Sequence, residues 1–195
     1  MKLYLGVVLS SLLVLSFANG IARAQIAFSQ DHTKDVVAIE QVFSAYVYLI
    51  DSHQWEALAD LFTEDGVDDH YQNANGVITP VNNGAGCKMT GHAQMILYWE
   101  LDFNTDTPLP DPGDSHHIVT SKLIDVEGDT ATLKAVWFSG STSAGKGVFG
   151  TTGEYDNIFQ RTRDGWKIAR DRVIFDTPVT TSFPCDMDGP HAQFP

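Results

Sequence analysis

Residues 118–139 read IVTSKLIDVEGDTATLKAVWFS, and residues 153–175 read GEYDNIFQRTRDGWKIARDRVIF. Ala131, Leu133, Ala135 and Trp137 recur at every second residue, as do Ile168, Arg170, Arg172 and Ile174. A period of two sends alternate side chains to opposite faces of an extended chain, so both stretches predict strands. Glu127-Gly128-Asp129 and Arg163-Asp164-Gly165 are turn signals inside them. The spacing therefore predicts a meander of Ile118–Val126, Thr130–Ser139, Gly153–Arg161 and Trp166–Phe175.

Upstream the period changes to that of a helix. Val36, Ile39, Phe43, Tyr46 or Val47, and Ile50 fall on one helical face, with Asp31 or Thr33 as the expected cap. Asp51-Ser52-His53 breaks this helix, and Trp55, Leu58, Leu61 and Phe62 form one face of a short second one. Thr63-Glu64-Asp65-Gly66 reads as a turn before a short strand at Val67–Tyr71. Residues 72–88, rich in Asn and Gly, read as a long loop. Thr90 is the expected cap of a third helix through Met95, Ile96, Trp99 and Phe103, and the Pro-rich stretch Thr105–Ser115 reads as a second loop. Helices first and antiparallel strands second is the α+β pattern. A curved antiparallel sheet wrapped on the long helix would leave one pocket between them.

The ends set the compartment. Lys2, the apolar run Leu3–Phe17 and the small residues of Ala22-Arg23-Ala24 predict a signal peptide at 1–24, cleaved before Gln25. The competing reading, an uncleaved anchor, fits less well because the run is short for a membrane span and no basic stop-transfer cluster follows. Secretion or periplasmic export is expected, with one domain at 25–178 and a tail at 179–195. Loss of Lys2 and Arg23 leaves 10 of the 12 basic residues against 25 acidic ones, a net charge of −15. Such a surface repels phosphates, which argues against nucleic acid or anionic membrane as a partner. Cys87 and Cys185 are the two cysteines, and export suggests that they form a disulfide, with two free thiols as the alternative. The bridge would tie the tail to the 72–88 loop and brace a lid over the pocket mouth. In the chain-entropy model the loop of about a hundred residues that it closes is worth about 4–5 kcal/mol.

Three segments carry chemistry-bearing residues. They are Tyr46-x4-Asp51-x3-Trp55-Glu56-x-Leu58-x-x-Leu61-Phe62, His116-His117-Ile118-Val119, and Gly153-Glu154-Tyr155-Asp156-Asn157 leading to Asp164-Gly165-Trp166-Lys167-Ile168. In this order the set resembles the SnoaL-like and scytalone dehydratase branch of the nuclear transport factor 2-like superfamily, over about residues 33–178. The resemblance implies a cone-shaped α+β fold with one pocket, in a family of cofactor-free dehydratases, cyclases and isomerases that commonly form sheet-to-sheet dimers. It also implies that Asp51 and His117 are the pocket aspartate and histidine. His70 falls where scytalone dehydratase has a pocket tyrosine, and Tyr155 and Asn157 match its serine and asparagine. Two departures stand out: no histidine occurs in Val136–Ser141, and Ile50 stands where that enzyme has tyrosine.

Without the family, a carboxylate and an imidazole in an apolar pocket still make a tunable proton-transfer pair. Such a pair can take a proton alpha to a carbonyl and return one to a leaving hydroxyl. Tyr155, Asn157 or His70 could then hydrogen-bond the developing oxyanion. Tyr46, Trp99 and Trp137, with Phe103, Phe138 and Phe149, supply aromatic surface for a flat substrate. Each residue also has a plainer role. Asp51 can cap the second helix; His117 can bond a backbone carbonyl inside the core; His116 points to the opposite, solvated sheet face. His70 can lie in a solvated turn beside Asp68 and Asp69, and Tyr155 can be a packing residue. A metal held by Asp68, Asp69, His70, His116 and His117 is not expected, because adjacent strand residues diverge. The expectation is a cofactor-free lyase or isomerase acting on a small hydroxylated carbonyl or polyketide-like compound. A non-catalytic carrier of a small apolar ligand on the same fold is the alternative.

Overall fold

The computed structural model describes residues 32–81, 86–103, 115–143 and 146–177. The expected signal peptide, the tail at 179–195 and residues 104–114 of the Pro-rich loop lie outside the described residues. Helix α1 (Thr33–Asp51) buries Ile39, Phe43, Tyr46 and Ile50, whose steps of four, three and four keep them on one face. Its cap position is His32, which makes no side-chain cap bond, and Thr33 is already helical. Asp31 lies outside the described residues. Helix α2 (Trp55–Ala59) covers the end of the core with Trp55, Leu58 and Ala59.

Strand β1 spans Phe62–Ala74, longer than the sequence suggests. The expected turn at Thr63–Gly66 is instead an irregularity within β1, where its register against the last strand shifts between Phe62 and Val67. Among the described residues of the expected loop at 72–88, residues 72–74, 77–80 and 88 belong to strands. Asn75 (φ 55°) and Gly76 (φ 84°) make a tight turn from β1 into β2 (Val77–Pro80). Consecutive positive φ values suit the twist of a two-residue hairpin, and Asn-Gly is its preferred pair. Strand β3 (Lys88–Thr90) pairs with β1 and leads into helix α3 (His92–Phe103). At its start the Gln94 side chain accepts the Thr90 backbone N–H at 2.8 Å, so the capping bond found there runs opposite to the one expected.

Strands β4 (Ser115–Glu127), β5 (Thr130–Ser143), β6 (Lys146–Thr162) and β7 (Gly165–Phe175) follow as antiparallel neighbours. The sheet order is β2-β1-β7-β6-β5-β4, with β3 on β1, and the β1–β7 pairing is parallel. The meander reading holds no parallel pair; this one joins β1 to the meander and extends the sheet beneath the helices. At the far end Asp35 of α1 accepts bonds from Arg161 (2.8 Å) and Trp166 (3.0 Å) across the β6–β7 turn.

Two one-residue bulges steer the inner face. Between Ile158–Arg170 and Phe159–Ile168 the register changes by one, leaving Ala169 as the extra residue of β7. A one-residue slip sends later side chains to the other face. Trp166 and Ile168 point inward before it; Asp171 and Val173 do so after it. In β4 the register shifts between Thr120 and Leu123, and Ser121 there has φ 53°. Val119 packs on the core before this bulge, and Ile124 and Val126 after it. The core itself is aromatic, with Phe43, Tyr46, Phe62, Tyr98, Trp99, Trp137 and Phe159 fully buried. No helix among the described residues is long and apolar enough to cross a membrane.

Candidate active site

The end of α1 meets the start of β4. Asp51 is the last residue of α1, and its carboxylate turns to the sheet. There it accepts the His117 backbone N–H at 3.0 and 3.2 Å and lies 2.6 Å from His117 Nδ1. Gln54, not Asp51, occupies the cap position of α2, so capping does not explain the aspartate. The carboxylate also orders the histidine: a ring whose Nδ1–H is given to Asp51 keeps Nε2 as a lone-pair nitrogen. The exposed His116 reaches the same carboxylate more loosely, its Nδ1 3.6 Å from Oδ2.

His117 lines a cavity of ≈ 130 Å³ between helices and sheet. Tyr46, His70, Trp99, Trp137 and Tyr155 of the sequence-based set line it too. Asp51 and Asn157 do not; Asp51 stands behind His117, and Asn157 is fully buried, its Oδ1 accepting the Arg172 backbone N–H. Phe103 reaches the cavity, whereas Phe138 and Phe149 lie against each other elsewhere, Phe149 80% exposed. Trp137 lines the cavity, so its strand neighbour Phe138 faces the other side of the sheet.

A second polar group occupies the same cavity and was only partly legible. Asp68 and His70, two residues apart on β1, share the inner face. His70 Nε2 is 3.1 Å from Asp68 Oδ1, and Trp99 Nε1 donates to Asp68 Oδ2 at 3.0 Å. His70 stands edge-on to the rings of Tyr98 and Phe175. Tyr98 and Asp102 of α3 complete this end. Beneath the floor, Tyr46 donates to Asp171 Oδ2 at 2.7 Å, and Asp171 is wholly buried. Asp69, the strand neighbour of both, faces the other way and pairs with Arg170 and Arg172.

The electrostatics follow from burial. Desolvation, with the neighbouring Asp68 charge, pushes the Asp171 carboxyl up to about 8. Burial raises Asp102 as well, against the opposing pull of His70. Burial would lower His70, but Asp68, Asp102 and Asp171 together outweigh it and raise it. The Tyr46, Tyr98 and Tyr155 hydroxyls are all pushed up by burial, so they remain protonated donors. Among the described residues no three His, Cys, Asp or Glu side chains are grouped to hold a metal ion. Cys87 is buried beside Met89; Cys185 lies outside the described residues.

This architecture, a curved sheet covered by helices over a cavity, is the nuclear transport factor 2-like fold. The chain belongs to the SnoaL-like domain family, whose model matches residues 31–172. Solved structures share the fold. A single-residue variant of Rv3472, a protein of unknown function from Mycobacterium tuberculosis, is 20% identical over 82% of this chain and 83% of its own, with a TM-score of 0.58. An NTF2-like protein with a cystatin-like fold from Novosphingobium aromaticivorans is 23% identical over 73% of this chain and 82% of its own, TM-score 0.57. ActVI-ORFA from Streptomyces coelicolor is 16% identical over 72% of this chain and 97% of its own, TM-score 0.56. No curated protein matches the chain by sequence.

Proposed function

We propose that the chain is a cofactor-free acid–base enzyme, a dehydratase, isomerase or cyclase, acting on a small hydroxylated carbonyl compound. The observation that carries this reading is the 2.6 Å contact between Asp51 and His117 at the wall of an aromatic cavity. His117 is the catalytic residue, its Nε2 taking a proton alpha to the substrate carbonyl. Asp51 is a positioning residue: it fixes the ring tautomer and stabilises the imidazolium that forms. The buried phenol Tyr155 is the donor for the developing enolate oxygen. Aromatic walls of this kind suit a flat, uncharged substrate.

The test is kinetic. His117→Ala is expected to lower kcat by about 10²–10⁴-fold with the circular dichroism spectrum unchanged. Asp51→Asn should lower kcat with KM little altered, and Asp51→Glu should restore part of it; turnover that survives both aspartate and histidine changes would refute the assignment. The aromatic lining also favours a second reading, a carrier of a small apolar ligand, which predicts tight binding of aromatic ketones without any conversion. The other parts of the proposal concern the whole chain. Residues 1–24 direct export and are cleaved before Gln25, to be checked by intact mass of the secreted protein. Cys87 pairs with Cys185, to be checked by unreduced peptide mapping. The protein acts as a homodimer through its sheet.

A further inference from the structure

His117 is one of two imidazoles in the cavity wall, and the second is built in the same way. His70 is 12% exposed at the side chain, and the carboxylate it faces, Asp68, is 1% exposed. Asp68 does not serve the backbone: one oxygen takes the Trp99 indole N–H and the other faces His70 Nε2. Among the described residues, the charged or titratable groups packed around His70 are acids or a phenol, namely Asp68 on its own strand, Asp102 and Tyr98 on α3, and Asp171 on β7. No lysine or arginine among the described residues lines the cavity. The two imidazoles are separated by two rings, since Phe175 touches both His70 (5.7 Å) and Trp137 (5.5 Å), and Trp137 touches His117 (5.4 Å). Both line the same small hollow.

We propose that His70, held by Asp68, is a second catalytic residue: the imidazolium that protonates the leaving oxygen of a β-hydroxy carbonyl substrate while His117 removes the alpha proton. This rests on the acid–base reading of His117 above, and it narrows that reading from three reaction types to one, elimination of water. The step balances without a co-reactant. His117 Nε2 takes the alpha proton, the C–H pair becomes the C=C bond, and the C–O bond breaks. The departing oxygen leaves as water with the proton from His70. The enzyme ends with His117 protonated and His70 neutral, and solvent exchange at the cavity mouth restores both. Loss of water uses the two rings in opposite protonation states, one to take a proton and the other to give one. The surrounding carboxylates favour the charged ring of His70, in agreement with its raised proton affinity. The acidic lining also sets the substrate class, because a carboxylate or phosphate on the substrate would meet Asp68 and Asp102.

Two measurements separate this inference from its parent. The probe is 3-hydroxy-1-phenylpropan-1-one, an uncharged aryl β-hydroxy ketone, followed by proton NMR in D2O. Deuterium entering the alpha carbon reports the His117 step, and phenyl vinyl ketone reports loss of water. Wild-type protein should do both. His70→Gln should keep exchange within about threefold and lose elimination by about 10²-fold or more, and Asp68→Asn should follow it. Equal elimination in His70→Gln and wild type overturns the role of His70 and leaves the parent reading standing. Absence of exchange in the wild type overturns both. Histidine ring NMR of the wild type, titrated between about pH 5 and 9, needs no turnover. It should show His70 charged to a higher pH than free imidazole and less so in Asp68→Asn; a neutral His70 at pH 7 sinks the proposal whatever the kinetics.

Discussion

At the residue scale, the site is a set of carboxylates given different work by their surroundings. Asp51 takes the His117 backbone N–H on both oxygens and holds the His117 imidazole, with His116 more loosely beside it. Asp68 holds an indole and an imidazole, and Asp171 is buried under Tyr46 with the Asn157 amide nearby. For Asp171 the sign of the pH effect follows directly. Its carboxyl titrates near 8 when folded, against 3.8 in the free side chain. The folded protein thus keeps a proton that the unfolded chain gives up, and its contribution is complete below about pH 4 and lost as pH rises through about 8. Asp171→Asn keeps the acceptor for Tyr46 and cannot ionise. Its melting temperature should equal that of the wild type near pH 4 and exceed it increasingly toward pH 9, in melts across that range. A constant difference would show that Asp171 does not carry the proton.

At the scale of elements, two backbone details set the inner face of the sheet. Gly153 on β6 lies under the Trp137 indole, and a Cβ there would run into Ile174 O and come within 2.8 Å of Trp137 Nε1. Gly153→Ala should therefore cost about 3 kcal/mol in chemical denaturation and disturb the cavity wall that Trp137 forms. Ser121 holds the β4 bulge in a left-handed conformation. Ser121→Gly should be neutral or raise stability slightly, whereas Ser121→Val should cost about 1–2 kcal/mol, because a Cβ with two branches crowds the carbonyl in that region. If both variants melt alike, the bulge carries no strain at Ser121.

At the scale of the whole molecule, charge and surface dominate. His70, Asp102 and Asp171 all have folded values above their unfolded ones, so each loses its contribution as pH rises. Asp35 works in the opposite sense: its Arg161 and Trp166 bonds lower it to about 2, so its contribution is present above 3.8 and lost as pH falls through 2. Stability should peak on the acid side of neutrality, near pH 4–5, and decline steadily toward pH 9; a maximum at or above pH 8 in the same melts would contradict this ordering. The outer face of β4, β5 and β6 exposes Ile118, Leu123, Val136 and Ile158. In the homodimer proposed above, a second copy would cover this face. Light scattering should give twice the mass of the mature chain, and Val136→Glu should return it to one.

The period of two in residues 131–137 and of three to four in residues 36–50 determined the strands, the long helix and the α+β class, because apolar burial imposes those spacings locally. The β4–β7 order and both β-turn signals followed from the same local chemistry. The ordered motifs around Asp51, His117 and Tyr155 pointed to residues that meet the cavity or stand directly behind it. What local spacing could not hold was the register. The expected face of Arg170 and Arg172 ends at Ala169, where one unpaired residue turns Asp171 inward instead. Asp68 reads as a neighbour of His70 in a solvated turn and Asp102 carries no motif, and only the folding of β1 and α3 over one hollow brings both to the cavity. A slip of one residue costs nothing in composition or propensity, yet it exchanges the two faces of a strand. Which carboxylates enter the cavity, and with which imidazole each pairs, was therefore decided by tertiary structure alone.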